Sequence, residues 1–492
     1  MYTQANLSKS RYTAGLQCHR LLWWQVHEPD ALELVRDLGT QARMDTGVRV
    51  GELARTYVPG GTSVGFTYQQ VAEKLALTQQ LLAAGNGVIY GASFEADHVF
   101  VEVDILERDG DGWRVIEVKS TTSVKGEHLP DAAVQTWVVE RAGLRVNRVE
   151  LMHLNGACRY PRLDDLFVRE NITSRVRELL PGVPARVREL LDVLEGELPD
   201  AAIGQHCREP YECPFKERCW AALPEHHVTT LYYAGRKAWD LVRMGYDTVD
   251  QLPTALCPRP TSLRQRQALA EGRRIVEPSL GAALEVLRGP LAYLDFETVG
   301  AAIPMWDGCW PYQQVPAQFS CHREDGRGGH EHREWVADRP GDPREPLARA
   351  LVDACAGAAS IVTWNVSFER GRIRELAGRL GGGLARELMD VERRLVDLLP
   401  VVREHVYDPE FHGSFSLKAV LPVLVPGATY DGLDVQEGGA ASVLLERLVS
   451  PDVAMAPDER QRMAQSLRDY CRQDTWATVV LVGRLREMAG DR

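Results

Sequence analysis

The amino-acid sequence predicts an α/β protein with two or three domains. At 492 residues, the chain is longer than one hydrophobic core usually supports. Residues 100–120 contain two stretches of alternating apolar and polar residues, separated by Asp109, Gly110, Asp111 and Gly112. This pattern is typical of a β-hairpin. Stretches with the apolar spacing of amphipathic helices, such as residues 176–194, supply the α component.

Composition narrows the class of protein. Hydrophobic residues make up 45% of the chain and charged residues 26%, as in globular proteins. The net charge of −12 gives no overall case for nucleic-acid binding, which would depend on local basic patches. Neither a signal peptide nor a membrane span is evident. The ten cysteines are therefore expected to be reduced thiols or metal ligands of a cytoplasmic protein without a membrane partner.

The predicted hairpin carries the first candidate site. Asp104 lies on its first strand, and Glu117 and Lys119 lie two residues apart on its second strand, so these two face the same side. Two carboxylates and a lysine suggest a phosphodiesterase site that binds Mg²⁺ or Mn²⁺. Gln135, on the predicted helix at 125–143, is a candidate helper. The alternatives are a solvent-exposed Glu–Lys pair and a surface amide.

Helices are predicted on the N-terminal side of the hairpin. The first begins near Ser8 or Ser10, which are plausible N-caps, and continues through Cys18 to Trp24. Further helices are predicted at about residues 32–57 and from Gln69 to residue 84, followed by a strand at 88–90. Glu52 and Glu95 on these elements are lower-ranked ligand candidates.

A cysteine cluster follows the hairpin, with five residues between neighbours: Cys207, Cys213 and Cys219. Three thiols this close in a reducing compartment indicate shared metal ligation. Zinc sites more often contain C-x2-C pairs, whereas a four-cysteine iron–sulfur cluster needs a fourth thiolate. Cys18 is the preferred fourth ligand over Cys158 or Cys257.

Residues 224–288 form a predicted helical connector. Their short helices and glycine turn are similar to helix–hairpin–helix modules, whose backbone amides can bind DNA phosphate; an interdomain linker is an equal alternative. The segment is locally basic through five arginines: Arg259, Arg264, Arg266, Arg273 and Arg274. This charge favours contact with nucleic acid.

The second half contains another set of acids. A predicted buried strand in the stretch that starts at Gly289 and ends at Thr298 carries Asp295 and Glu297 on one face, which suits a metal. Glu369 follows the turn between a predicted strand and a helix. Tyr470 and Asp474 lie four residues apart on a C-terminal helix and share a face. Asp397 is a further candidate, with simple solvation as its alternative.

The first motif set resembles the iron–sulfur PD-(D/E)XK nucleases related to RecB. The resemblance rests on Cys18, Asp104, Glu117-Val118-Lys119, Gln135 and the three later cysteines. It implies a restriction-endonuclease-like domain at residues 1–223 and a [4Fe–4S] cluster held by Cys18, Cys207, Cys213 and Cys219. The spacing C-x5-C-x5-C replaces the commoner C-x2-C-x5-C, and a histidine frequent in that group has no counterpart at residues 47–51.

The second motif set resembles the DEDDy branch of 3′–5′ exonucleases. The resemblance implies a ribonuclease-H-like domain at residues 289–492. It makes four acids metal ligands, namely Asp295, Glu297, Glu369 and Asp474, and makes Tyr470 the group that orients the attacking water. Glu369 stands where this branch usually has aspartate.

The whole chain resembles a bacterial family of uncharacterised proteins that joins these two halves. Three stretches support this resemblance: residues 7–10, 311–316 and 413–418. The second stretch includes Gln313 and Gln314. The resemblance implies a metal-dependent nuclease acting on DNA single strands or ends. The alternatives are an RNA-directed exonuclease and a nucleic-acid-binding scaffold with inactive sites. Because no P-loop motif is present, a helicase or repair partner would be a separate chain. Lys418 and Ser416 are hypothesised to bind a substrate phosphate, with helix capping as the alternative for Ser416.

Overall fold

The computed structural model describes residues 7–66 and 70–490, which form two compact units. The first unit extends to Ala222 and includes Ala301–Tyr312; the second comprises Leu223–Gly300 and the residues from Gln313 onward. The predicted connector at 224–288 therefore belongs to the second unit. Both units combine helices with β-sheets, which confirms the predicted α/β class.

The first unit contains seven strands and eight α-helices among its described residues. The strands are β1 (Leu7–Ser8), β2 (Thr62–Ser63), β3 (Val88–Ala96), β4 (Val99–Asp109), β5 (Gly112–Lys119), β6 (Val146–Leu154) and β7 (Phe167–Asn171). The helices are α1 (Lys9–Gln17), α2 (His19–His27), α3 (Leu38–Thr56), α4 (Val71–Ala83), α5 (His128–Arg141), α6 (Thr173–Leu179), α7 (Val183–Glu195) and α8 (Lys216–Trp220).

The sheet of the first unit confirms the predicted hairpin. Its strand order is β2-β3-β4-β5-β6-β7, with β1 paired to β4. β3, β4 and β5 are antiparallel, and Asp109 pairs with Gly112 across the turn. Gly110 has a φ of 63°, a left-handed conformation that glycine adopts without steric cost. β5 and β6 are parallel, and α5 forms the crossover that parallel strands require.

The N-terminal helix differs from its prediction. The sequence predicts one helix through Cys18, but the chain forms α1 and α2 with Cys18 in extended backbone between them (φ −161°, ψ 128°). Helical spacing continues through Cys18, so tertiary packing must set the break. A Cβ at Gly15 would lie 2.6 Å from Leu190 Cδ2, so α1 is held very close to α7. Ser8 caps α1, accepting the Arg11 N–H at 3.2 Å.

The other N-terminal predictions are partly confirmed. The helix predicted at 32–57 is a 3₁₀ turn at Leu32–Leu34 followed by α3. The described helix corresponding to the next prediction begins at Val71, and Gln69 lies outside the described residues. Glu52 and Glu95 are both exposed. Glu95 pairs with Phe100, four residues from Asp104 on β4 and thus roughly 13 Å away along the strand.

The second unit contains seven strands and ten α-helices among its described residues. The strands are β8 (Ile275–Val276), β9 (Leu291–Val299), β10 (Val315–Glu324), β11 (His330–Val336), β12 (Ser360–Thr363), β13 (Leu395–Asp397) and β14 (Val406–Tyr407). The helices are α9 (Lys237–Arg243), α10 (Pro260–Glu271), α11 (Leu280–Leu284), α12 (Arg344–Ala354), α13 (Ser367–Leu380), α14 (Gly382–Arg393), α15 (Leu398–His405), α16 (Leu417–Leu424), α17 (Gly438–Val449) and α18 (Pro457–Ala489).

The larger sheet of the second unit has the order β11-β10-β9-β12-β13. β10 is antiparallel to β9 and β11, whereas β12 is parallel to β9 and β13. Leu294 and Phe296 pack in the hydrophobic cluster that includes α12, α13 and α14. Tyr293 belongs to the cluster that includes α16 and α18. Because neighbouring residues of a strand face opposite sides, the row of Tyr293 continues into Asp295 and Glu297.

Within residues 7–66 and 70–490, no helix has the length and apolar character needed to cross a membrane.

Candidate active sites

Three predicted acids of the second unit converge. Oxygen atoms of Asp295, Glu297 and Asp474 all lie within 4.8 Å of one another. Asp295 and Glu297 come from the same face of β9, and Asp474 comes from α18. Cys471 Sγ lies 3.9 Å from Asp295 Oδ2, so α18 lies directly against β9. The predicted strand and C-terminal helix are both confirmed, and together they form a carboxylate cluster.

Two further side chains orient this cluster. The Tyr430 hydroxyl donates to Asp474 Oδ1 at 2.6 Å. The Lys418 ammonium donates to the Tyr470 hydroxyl at 3.2 Å. Tyr430 could not be predicted from the sequence because its loop carries no spacing signal, and Lys418 was expected only as a phosphate ligand. Ser416 caps α16 by accepting the Ala419 N–H at 3.2 Å, as the capping alternative predicts.

Glu369 lies in the first turn of α13, after β12, as predicted. Its residue is only 3% exposed, and no group in the described part of the chain hydrogen-bonds to its Oε2. Burial, together with the nearby Asp397 carboxylate, raises the pKa of Glu369 to about 8. Asp397 itself accepts the N–H groups of Asn365 and Leu399, so it has a structural role at the start of α15.

The carboxylate cluster carries unbalanced negative charge. Burial and the neighbouring acids raise the pKa of Asp295 well above its usual value, and burial and Asp474 do the same for Glu297. Burial also raises the pKa of Asp474, against the opposing effects of Tyr430 and Lys418. The Lys418 ammonium counters this rise at Glu297 and Asp474, but a single ammonium does not balance the charge of the acids. Hard oxygen donors with excess negative charge are what Mg²⁺ and Mn²⁺ bind, so the donor set fits divalent cations.

This imbalance predicts a pH dependence of stability without metal. The pKa of Glu369 is about 8 when folded, against a usual 4.5, so the folded state binds this proton more tightly than the unfolded state. Stability must then fall as pH rises from about 4.5 to about 8. Thermal denaturation in EDTA across this range should show the decline, and Glu369→Gln should flatten it. An equal slope in the variant would contradict the assignment.

The first-unit site forms where the hairpin pairing ends. The pairing of β4 and β5 ends at Ile105 and Ile116, and one further step along each strand sets Asp104 opposite Glu117. There the Val118 N–H donates to Asp104 Oδ2 at 2.7 Å. The Asp104 carboxylate therefore accepts the hydrogen bond that a backbone carbonyl would otherwise accept. Asp104 and Glu117 face the same side of the sheet.

Glu117 is held by three neighbouring side chains, two of which belong to predicted residues. Lys119 Nζ lies 2.7 Å from its Oε1, and Gln135 donates to its Oε2 at 2.5 Å. Lys9 Nζ also lies 2.8 Å from Oε1. Asp131 completes the group by accepting from Lys119 at 2.6 Å. Lys9 and Asp131 were not predicted as site residues, because Lys9 precedes Glu117 by 108 positions and Asp131 lies in a separate element, the first turn of α5.

Charges at this first site are nearly balanced. Burial opposes ionisation of Glu117, but Lys119 and Lys9 outweigh it and hold the pKa of Glu117 well below its usual value. Burial would lower the pKa of Lys9, but Glu117 and Asp131 raise it to about 12. Burial and Glu117 raise the pKa of Asp104 to about 7.

The spacing of the acids also differs between the first-unit site and the carboxylate cluster of the second unit. Among the described residues, Asp104, Glu117 and Asp131 do not form a group of three whose oxygens all lie within 4.8 Å of one another. Lys119 instead lies between Glu117 and Asp131. A cation bound by Asp104 and Glu117 would share Glu117 with these ammonium groups, so this donor set fits a divalent ion less fully than the second site does.

The four predicted cysteines converge on one small cavity in the first unit, lined by Cys18, Cys207, Cys213 and Cys219. Trp24 and Phe215 pack beside them. The alternative ligands lie elsewhere: Cys158 packs with Val50, and Cys257 belongs to the second unit. Burial raises the pKa of Cys213 to about 11. The Cys213 thiol therefore needs a bound metal to become a thiolate at neutral pH.

Parts of the chain are similar to known proteins. Residues 292–416 match the family described as Domain of unknown function (DUF2779), a segment that contains Asp295, Glu297 and Glu369. The Uncharacterized protein MG366 homolog of Mycoplasma pneumoniae is 24% identical over 220 residues, which are 40% of this chain and 32% of that protein. The Uncharacterized protein UU173 of Ureaplasma parvum is 26% identical over 149 residues, 28% of this chain and 21% of that protein. The matched segments thus span about a third or less of these relatives.

Proposed function

We propose that this chain is a metal-dependent nuclease with two phosphodiesterase sites. The observation that carries the proposal is the convergence of Asp295, Glu297 and Asp474 beside Tyr470. A buried group of acids that lacks balancing cations is poorly suited to a structural role, because each charge raises the cost of the others. Divalent cations would relieve that cost and provide the chemistry.

The architecture of the second unit supports a DEDDy-type exonuclease. Numbered along its larger sheet, the strand order is 3-2-1-4-5, with the second strand antiparallel to the others, an arrangement typical of ribonuclease-H-like folds. The acids lie on the first strand, at the start of the helix after the fourth strand, and on the last helix. This distribution matches the order of the DEDDy motifs.

Each residue has a defined part in hydrolysis. Bound divalent cations would activate the attacking water and stabilise the leaving oxygen, with Asp295, Glu297, Glu369 and Asp474 as their ligands. Burial and the neighbouring acids Asp474, Glu297 and Asp295 raise the pKa of Tyr470. Its phenol therefore stays protonated at neutral pH and orients the water through hydrogen bonding instead of removing its proton.

The first unit has the element order α4-β3-β4-β5-α5-β6, with an antiparallel hairpin followed by a parallel strand. This order is typical of PD-(D/E)XK nucleases. Asp104 and Glu117 would hold the cation, while the Lys119 ammonium would stabilise negative charge on the phosphate. Gln135 fixes Glu117 by its hydrogen bond. DNA single strands or ends are the proposed substrate.

A [4Fe–4S] cluster is the proposed occupant of the cysteine cavity. Four thiolates around one zinc ion would lie roughly 3.8 Å apart, given a Zn–S bond of about 2.3 Å. Among the described residues, however, no three cysteine sulfurs lie within 4.8 Å of one another. A cluster with a separate iron for each thiolate spaces its ligands more widely, so the wider spacing favours the cluster.

Anaerobically purified protein should be brown and absorb at roughly 400 nm. Cys213→Ser should bleach it, since serine replaces a buried thiolate ligand. Cys158→Ser serves as the matched control, because Cys158 is also buried but packs away from the cavity, and it should retain the colour. A colourless wild type with stoichiometric zinc would contradict the cluster.

The nuclease proposal is tested with Mn²⁺ and end-labelled single-stranded DNA, duplex DNA and RNA. Asp295→Ala should remove stepwise 3′–5′ degradation, and Lys119→Ala should remove the remaining cleavage. The double variant should be inactive. A double variant that degrades DNA like the wild type would refute both sites, and preferential cleavage of RNA would assign the substrate to RNA.

A further inference from the structure

A cleft on the second unit lies beside the carboxylate cluster but shares none of its acids. Pairing across the sheet aligns Asp295 with Ser320, and Tyr293 with His322, so all four face the side that α18 covers. Cys471 contacts Asp295, whereas Thr475 hydrogen-bonds both Ser320 and His322. α18 therefore crosses this sheet face, with the acids over β9 and the cleft over β10 and β11.

The cleft has a volume of about 450 Å³, and its lining includes His322, His330, His332, Asp469, Arg472 and Trp476. Pockets that bind small organic ligands have volumes of roughly 300–1,000 Å³. The cleft is thus large enough for a nucleotide-sized group.

Two of its imidazoles are rigidly fixed. His322 Nδ1 lies 2.9 Å from Thr475 Oγ1, and His332 Nε2 lies 2.9 Å from Ser320 Oγ. The two rings lie 4.5 Å apart between centroids. Burial lowers the pKa of His322 to about 3 and that of His332 to about 4. Both rings are therefore neutral at pH 7 and provide flat, aromatic walls.

The remaining groups offer stacking surface and positive charge. Trp476 is 41% exposed, and its ring lies near those of His322 and His330. Arg472 is exposed, and within the described residues its guanidinium makes no ion pair or hydrogen bond, although it acts electrostatically on the nearby Glu334 carboxylate. Asp469, by contrast, accepts a hydrogen bond from Gln465. An exposed indole beside an unpaired guanidinium is suited to a planar aromatic group that carries an anion.

We propose that this cleft binds one nucleotide unit, with the base stacked on Trp476 and the phosphate paired with Arg472. The inference rests on the proposed nuclease function and extends it by a subsite remote from the reacting bond. Tyr470 lies beside the acids and Arg472 lines the cleft, and these two residues are separated by about 200° around the axis of α18. A bound strand must therefore pass around α18 to occupy both the acids and the cleft, so a long oligonucleotide gains this contact and a very short one does not.

The test compares binding of fluorescein-labelled oligothymidylates of 4 and 12 nucleotides by anisotropy, with Ca²⁺ replacing Mn²⁺ to suppress cleavage. Trp476→Leu and Arg472→Gln should each weaken binding of the 12-mer by about tenfold or more, with little change for the 4-mer. Trp476→Phe should retain most of the affinity because it keeps an aromatic surface. Arg484→Gln changes a partly exposed arginine of the same helix that pairs with Glu487, and this variant should bind as the wild type does.

Wild-type affinity for the 12-mer in both Trp476→Leu and Arg472→Gln would overturn the subsite. Competition with thymidine 5′-monophosphate identifies the source of the nucleotide. If the monophosphate displaces the 12-mer from the wild type but not from the variants, the cleft binds a free mononucleotide. If the monophosphate does not displace the 12-mer, the cleft binds a nucleotide unit within the strand. Hydrolysis of DNA by the wild type is measured separately, so a protein that binds through the cleft but never cleaves refutes the nuclease proposal alone.

Discussion

Asp295→Asn should abolish exonuclease activity and, without metal, make the protein more stable than the wild type. Loss of a metal-ligand carboxylate should lower the rate about a thousandfold, because a Lewis-acid metal contributes several kcal/mol of transition-state stabilisation. The gain in stability follows from the local charge. Burial and the acids Asp474, Glu297 and Glu369 raise the pKa of Asp295, so its ionised form destabilises the folded state.

The size of the stability effect is set by relief of repulsion. A gain of 1–2 kcal/mol should raise the melting temperature in EDTA by roughly 2–8 °C for a domain of this size. Mn²⁺ should stabilise the wild type by binding only the folded state, and it should stabilise Asp295→Asn much less. Calorimetry with EDTA and with Mn²⁺ measures both quantities.

An exposed aspartate of the same unit provides the control. Asp452→Asn should change neither the melting temperature nor the response to Mn²⁺, since Asp452 lies on the surface. If Asp295→Asn lowered the melting temperature in EDTA, the acids would not repel one another as the geometry indicates. If Mn²⁺ stabilised variant and wild type equally, Asp295 would not be a ligand.

The sequence predicted those parts of the molecule that depend on local pattern. Alternation identified the hairpin of Asp104 and Glu117, and the i, i+4 spacing placed Tyr470 and Asp474 on one helix face. Local pattern could not anticipate the break at Cys18, because close packing of α1 against α7 sets it.

Partners that come from distant segments were also missed. Tyr430 approaches Asp474 from a loop 44 residues away, and Lys9 approaches Glu117 across 108 residues. Neither contact leaves a periodic signal, since only the tertiary fold brings the segments together. The charge balance of each site could not be predicted either. The sequence shows acids at both sites, but only the fold shows that lysines neutralise the acids around Glu117, whereas the acids around Asp295 repel one another.

Glu117→Gln should destabilise the protein strongly, which is the opposite of the effect expected for Asp295→Asn. Glu117 is 1% exposed, and the ammonium groups of Lys9 and Lys119 lie within 2.8 Å of its Oε1. Neutralising this carboxylate leaves two largely buried ammonium groups without their main partner. Removing one member of a buried ion pair costs about 3 kcal/mol or more, so the melting transition of the first unit should fall markedly.

A second substitution tests the cause of this loss. Lys9→Met in the Glu117→Gln background should restore part of the stability, because it removes an uncompensated charge while keeping an unbranched side chain, and a double-mutant cycle measures the coupling. Glu140→Gln is the control: Glu140 pairs with Arg177 near the surface, where such pairs contribute about 1 kcal/mol or less. Additive effects of Lys9→Met and Glu117→Gln would show that the ammonium does not depend on this carboxylate. Opposite signs for Glu117→Gln and Asp295→Asn would instead establish that acids in two similar motifs have opposite energetic roles before any metal binds.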